Sequence, residues 1–330
     1  MLKPEQQLQI EAAAAILRKG GVVAMPTETV YGLAADAANP AAVRRIFEIK
    51  DRPADHPLIV HIADESQLRY WASEVPKAAK LLATRFWPGP LTLILPRSQH
   101  VADVITGGQD TVGLRVPDHP VALALLRAMG EHTALAAPSA NRYGRISPTT
   151  AQHVREELGD SADMILDGGP CQVGLESTIV SVIGGHVTVL RPGGIPVSAI
   201  EEVLQHKVKV ADSSTADIRV SGSVLSHYAP LTQLELVTHQ ALWPRACELE
   251  AQGLRVATLE WSAPDAVHSP HAGIQRTTMP ANPVIYGQML YATLRQLDNE
   301  HFDRLLAEAP PQTVEWLAVA DRLKRASHRD

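Results

Sequence analysis

Short apolar runs, most of them closed by proline, glycine or aspartate, alternate through the first two-thirds of the chain with stretches whose apolar positions recur every three or four residues. The runs predict strands at 21–26, 57–62, 91–96, 111–117, 134–140, 164–169, 177–183 and 186–193. The helical spacing covers 5–19, 40–50, 64–71, 75–86, 118–130, 148–158 and 197–204. Strands and helices mixed in this way specify an α/β domain built on one large twisted sheet. In "STIVSVIGGHVTVLRPG" two of the runs flank Gly184-Gly185, the signature of a hairpin turn.

The pattern then fails. From about 206 to 226 the chain fills with Ser, Ala, Asp and Gly, as a linker or lid does. Periodicity returns after 231, with strands predicted near 233–238, 254–260 and 314–318 and helices near 240–252, 283–297 and 320–327. The expected organisation is therefore a domain over 1–205, a linker over 206–230 and a small α/β domain over 231–330.

A length of 330 residues is comfortable for two cores, and 20% charged residues is ordinary for a soluble protein. With 30 Lys and Arg against 36 Asp and Glu, the net charge of −6 argues against gripping nucleic acid by bulk electrostatics. A local basic cleft is still allowed, because low-dielectric walls focus the field of a few cations. Cys171 and Cys247 are too few for a disulfide framework, which fits a reducing compartment. The N-terminal stretch reads as an amphipathic helix ending at Gly20-Gly21 rather than as a signal peptide, and no apolar run approaches a membrane span. A cytoplasmic protein with no membrane association is expected.

Several familiar constellations are absent. "GPCQVGLEST" spaces two glycines as a P-loop does, but Leu175-Glu176 stand where Lys-Ser/Thr belong. No strand leads into G-x-G-x-x-G, and no G-x-S-x-G elbow is present. His56 and His61, five apart on an extended stretch, would face opposite ways, which suits no shared metal. What remains is polar chemistry at strand and helix ends. Lys50 and Arg52 close a helix, Arg115 lies inside an apolar strand, Ser139, Asn141 and Ser147 lie in a loop, and Arg191 ends a hairpin strand. Cations also offset a helix dipole, and a structural ion pair would equally serve Arg115. A phosphate-bearing ligand beside a carboxylate-bearing one is the simplest common cause for the whole set.

In this order, the runs "PTETVYGL", "IKDRPADHPLIVHI", "FWPGPLTLIL", "GLRVPDH", "APSAN…G…SPT", "LESTIV" and "LRPGGI" resemble the YrdC/Sua5 family of threonylcarbamoyl-AMP synthases. "SHYAP" at 226–230 and the second α/β unit resemble the longer, two-domain Sua5 form. The resemblance implies a YrdC-like domain with a twisted mixed sheet and a small Rossmann-like C-terminal domain. It implies condensation of L-threonine, bicarbonate or CO2 and ATP into threonylcarbamoyl-AMP and pyrophosphate, with Mg2+ accompanying ATP. The product would pass to the enzyme that transfers the t6A group to tRNA. No stable nucleic-acid binding is expected. The alternative carried forward is a non-enzymatic, RNA-binding or ribosome-associated module of the same fold.

Carried over position by position, the resemblance implies a threonine pocket of Tyr31, His61, Arg115, the Ala137 backbone and Ser177. Thr27 and Thr29 would face the reacting groups, with Lys50 and Arg52 in catalytic roles. On the nucleotide side it implies Lys50, Arg52, His56, Thr111 and Ser139. Asn141, Ser147 and Arg191 complete that side, and His227 and Tyr228 belong to a lid over 213–230. Two departures stand out: His56 replaces the family's usual Asn, and Leu225-Ser226 replace a basic residue before the His-Tyr pair. The resemblance leaves the metal ligands unassigned, and Glu28 receives no role beyond orienting a neighbouring cation.

Overall fold

The computed structural model describes residues 2–211, 218–222, 227–262 and 273–328. The chain divides into two compact units, Met1–Tyr143 with Ser147–Ser223, and Gly144–Ile146 with Val224–Asp330. The segment expected as a linker is thus shared between them. Leu225 and Ser226, with the rest of 213–217 and 223–226, half of the expected lid, fall outside the described residues.

The first unit carries a ten-stranded mixed sheet. Its strands are β1 (Val23–Met25), β2 (Gly32–Asp36), β3 (Ile59–His61), β4 (Leu91–Pro96), β5 (Thr111–Arg115), β6 (Leu135–Ala136), β7 (Met164–Ile165), β8 (Thr178–Ile183), β9 (His186–Arg191) and β10 (Lys209–Val210). Their order is β10-β9-β8-β4-β5-β3-β6-β2-β1-β7. The pairs β3–β5, β4–β8, β1–β7 and β9–β10 are parallel, and the remaining neighbours are antiparallel. The helices are α1 (Pro4–Arg18), α2 (Pro40–Lys50), α3 (Leu68–Trp71), α4 (Lys77–Phe86), α5 (Asp103–Thr106), α6 (Pro120–Met129), α7 (Ala151–Leu158) and α8 (Val197–Leu204).

Helix α1 buries Ile10, Ala13, Ala14 and Leu17, a single stripe at helical spacing. The stripe packs with Val121, Ala122, Leu125 and Leu126 of α6 over the sheet residues Val23, Met25 and Leu135. Alanines in the stripe let the two helices lie close, and each fully buried leucine contributes about 1.5–3 kcal/mol. Helix α2 is punctuated at both ends. Asn39 caps it by accepting from the Ala41 and Ala42 amides, Pro40 opens it, and Asp51 ends it in the left-handed region at φ 52°. That sharp stop places Lys50 on the last turn and Arg52 just past it.

The second unit has a four-stranded parallel sheet in the order β11-β14-β12-β13. The strands are β11 (Gln233–Val237), β12 (Val256–Glu260), β13 (Ile274–Thr278) and β14 (Arg304–Glu308). Helices α9 (His239–Ala251), α10 (Pro283–Asn299) and α11 (Leu317–Ser327) connect or follow them. Asp298 accepts from the Leu231 and Thr232 amides at 2.8 and 2.7 Å and pairs with Arg145 at 3.4 Å, tying 144–146 to this unit.

The strand predicted at 314–318 is not one. Val314–Trp316 form a 3-10 turn that runs into α11, and Trp316, Val319, Leu323 and Ala326 are buried at helical spacing. The strand that completes the sheet is β14, with Leu305, Leu306 and Ala307 buried.

Candidate active site

The turn between β1 and β2 is built by threonine. The Thr27 hydroxyl donates to the Val30 carbonyl at 2.6 Å and lies 3.2 and 3.3 Å from the Thr29 and Val30 amides. Its one proton is committed there, so in the 2.9 Å contact between the two hydroxyls Thr29 is the donor. Both side chains are buried, and their hydroxyls lock the turn that carries Glu28. The Tyr31 phenol, fully buried, donates to the Gly169 carbonyl at 2.8 Å and accepts from the Gly168 amide at 3.2 Å. Burial pushes its pKa up, with the Gly168 hydrogen bond opposing. Gly32 then passes Ala137 so closely that an added methyl would meet the Ala137 Cβ at 3.2 Å.

Strands β3 and β5 lie parallel, in a register that makes His61 and Arg115 direct neighbours. Both are buried. Arg115 Nη2 lies 2.7 Å from Glu28 Oε1, a contact that is close in distance but outside hydrogen-bonding angles. Glu28 is the partner that the sequence left unnamed. The Ala137 amide donates to the Ile59 carbonyl at 2.9 Å.

Burial, with the Arg115 charge added, holds His61 down at about 3. The imidazole is therefore neutral at neutral pH. An unfolded histidine takes a proton near 6.5, so stability from this neutral state is complete above 6.5 and lost as pH falls toward 3. The unfolding free energy should fall at up to about 1.4 kcal/mol per pH unit in that window. A His61→Gln variant is expected to lose less over the same range in urea titrations at stepped pH. Parallel curves for the two proteins would show that His61 does not carry the acid sensitivity.

The cations at the end of α2 are buried as well. The Lys50 ammonium, 1% exposed, donates to the Ser139 carbonyl at 2.6 Å and to the Asn141 carbonyl. Asn141 in turn donates through Nδ2 to the Arg142 carbonyl at 2.7 Å. Burial lowers the Lys50 pKa well below the ordinary lysine value, and the Arg52 charge lowers it further. Arg52 donates to the Pro57 carbonyl at 3.1 Å and lies 5.9 Å from the centre of the Tyr143 ring. The Tyr143 hydroxyl is 3.2 Å from His56 Nδ1, and burial followed by the Arg52 charge lowers the His56 pKa. His56 thus meets the cationic group as a neutral ring.

Arg191, buried at the end of β9, donates through Nη2 to the Ser177 carbonyl at 2.8 Å. The Ser177 hydroxyl pairs with Thr92 at 2.7 Å. Gly193 makes this corner possible: a Cβ there would lie 2.4 Å from the backbone at 176–178. Ser147 donates to Glu176 at 2.6 Å, both residues buried. Thr111 lines a narrow crevice with Gly113, Ile94, Ile179, Arg219 and Val220.

One described piece of the linker reaches these cations. The Ser221 carbonyl accepts from Arg191 Nη1 at 2.7 Å, and its hydroxyl lies 3.4 Å from Arg52 Nη2. Sequence reasoning missed Ser221, Glu176 and Thr92. "LEST" hinted at Glu176; nothing local pointed to Ser221. His227 and Tyr228 belong to the second unit. There the Tyr228 backbone is left-handed at φ 62°, and its ring stacks on Tyr291 at 5.7 Å with Arg322 5.1 Å over it.

A mixed sheet with buried cations and hydroxyls along its strand and helix ends, in a chain that also carries a small parallel α/β unit, defines a two-unit α/β protein of enzyme-like build. The chain belongs to the Sua5/YciO/YrdC family: the family model described as "Telomere recombination" matches residues 15–193, and "Threonylcarbamoyl-AMP synthase, C-terminal domain" matches 195–328. It is 39% identical over 331 residues to the threonylcarbamoyl-AMP synthase of Pyrococcus abyssi, covering 98% of this chain and 95% of that one. To the synthase of Bacillus subtilis it is 41% identical over 324 residues, covering 97% and 93%. The crystal structure of P. abyssi Sua5 complexed with L-threonine superposes with a TM-score of 0.88 at 38% identity, covering 97% of this chain and 94% of that one. Among the described residues, no helix is long and apolar enough to cross a membrane.

Proposed function

We propose that this chain is an L-threonylcarbamoyladenylate synthase, a nucleotidyltransferase that condenses L-threonine, bicarbonate or CO2 and ATP. The observation that carries the reading is the near full-length likeness to synthase relatives and to a protein solved with L-threonine. The local chemistry is in keeping with it. Arg115, beside a neutral His61, is suited to take the threonine carboxylate. Lys50, Arg52 and Arg191 are suited to the triphosphate, with Ser139, Asn141, Ser147, Thr111 and His56 around the nucleotide. Ser177 and the Ala137 backbone would complete the threonine side.

In this scheme the threonine amine takes up CO2 as a carbamate, whose oxygen attacks the α-phosphorus in line as pyrophosphate leaves. Positioning and charge neutralisation supply the catalysis. Among the described residues no cluster of three or more His, Cys, Asp or Glu forms a metal cage. Mg2+ accompanying ATP would offset the phosphate charge. The product is a mixed anhydride, which an acyl-transferring enzyme of tRNA t6A synthesis would consume.

Mass spectrometry of a reaction with ATP, bicarbonate and threonine is expected to show threonylcarbamoyl-AMP. Pyrophosphate release should depend on threonine. Release that ignores threonine, with no adenylate formed, would sink the assignment.

A further inference from the structure

Glu28 is 4% exposed, and neither of its carboxylate oxygens accepts a hydrogen bond among the described residues. An ionised carboxylate offers about four acceptor positions, and a buried one left unused is costly. A purely structural partner for Arg115 would be expected to use both oxygens against the guanidinium fork. Here the contact is a single 2.7 Å approach of Oε1 to Nη2, and that Nη2 also lacks a hydrogen bond.

Glu28 is nonetheless held firmly. Its carbonyl accepts from the Val173 amide at 2.7 Å, and the Thr27 hydroxyl fastens the turn on either side of it. Arg115 is the only cation paired with it among the described residues. His119 stands near enough for its charge to be felt, but its Nδ1 accepts from the Val121 amide at 3.2 Å. Cys171, also near, has its thiol pushed up to about 12 by burial and then by Glu28, so it adds no charge at neutral pH. The pair therefore presents one rigid carboxylate with spare acceptors beside one guanidinium with a spare donor.

An α-amino acid carries the complement of that pair, a carboxylate and an amine on adjacent atoms. We propose that Glu28 accepts the N–H groups of the substrate's α-amine while Arg115 takes its carboxylate, so that Glu28 sets selectivity for amino acids over acids lacking the amine. The proposal rests on the assignment of threonine as substrate. It gives Glu28 a direct substrate contact and a use for its two buried acceptor oxygens.

The test compares L-threonine with 3-hydroxybutyrate, which keeps the carboxylate and β-hydroxyl and lacks the amine. Calorimetric titration of the intact protein is expected to give tenfold to hundredfold tighter binding of threonine, the order of a charge-assisted hydrogen bond. In a Glu28→Gln variant the preference should shrink to a few-fold, while 3-hydroxybutyrate binds as well as before or better. Wild-type protein that binds both acids equally overturns the proposal without recourse to any variant. So does a Glu28→Gln variant that keeps the full preference, or one that loses both ligands in parallel with a lowered Tm. Failure of the wild type to bind threonine at all would instead overturn the substrate assignment.

Discussion

Arg115→Ala is expected to abolish the threonine dependence of pyrophosphate release and to lower kcat/KM for threonine by a hundredfold or more, on the order of the 2–5 kcal/mol that truncating a buried charge pair costs. Two effects act together. The carboxylate ligand loses its guanidinium, and Glu28 is left buried without a counter-charge. The second effect alone should destabilise the fold by about 3–5 kcal/mol. The two can be separated, because a buried pair removed as a whole costs much less than one broken in half. An Arg115→Ala/Glu28→Gln double variant should therefore recover much of the lost stability and none of the threonine response. Urea unfolding and threonine titration of both proteins provide the measurement. A single variant with an unchanged threonine response would remove Arg115 from the carboxylate site.

That pair also shows where the sequence stopped being legible. Arg115 in "TVGLRVP" was readable as a cation needing a partner, because its apolar neighbours predict a buried strand. The partner was not readable, since Glu28 comes from a turn far away in sequence and meets β5 only through the sheet order. The same division runs through the fold. The limits of α2 were visible in Asn39-Pro40 and the proline after Arg52, which are local signals. Strand β2, "GLAAD", was invisible because it has no β-branched residue, and its burial comes from neighbours on both sides. Strand β13 escaped because it is an edge strand with a mostly polar sequence, "IQRTT". At 314–318 a β-branched and aromatic run outweighed the helical spacing of Trp316, Val319 and Leu323, which only packing makes decisive. The family was more legible than fold detail, since the ordered motifs run through the segment that the family model matches.

Lys50→Met should be as damaging as the loss of Arg115, by a different route. Methionine fills a similar volume and removes the donors that hold the half-buried Ser139 carbonyl and the buried Asn141 carbonyl, at up to about 1–3 kcal/mol each. The loop bearing Ser139 and Asn141 would loosen, and turnover is expected to fall by on the order of a hundredfold or more. A protonation signature separates direct phosphate contact from mere support of the loop. Between the lowered folded pKa and the ordinary lysine value near 10.5 the unfolded chain binds more protons, so the cost of burying Lys50 is relieved as pH rises through that window. A triphosphate arriving beside Lys50 acts in the opposite sense: it favours the charged form and raises the pKa. ATP binding at mildly alkaline pH should then draw in a proton, and its affinity should weaken as pH climbs. Calorimetry in buffers of different ionisation enthalpy reads this directly, with uptake expected in the wild type and absent in Lys50→Met. Equal uptake by the two proteins would mean that Lys50 only braces the loop and that the phosphates meet Arg52 and Arg191 alone.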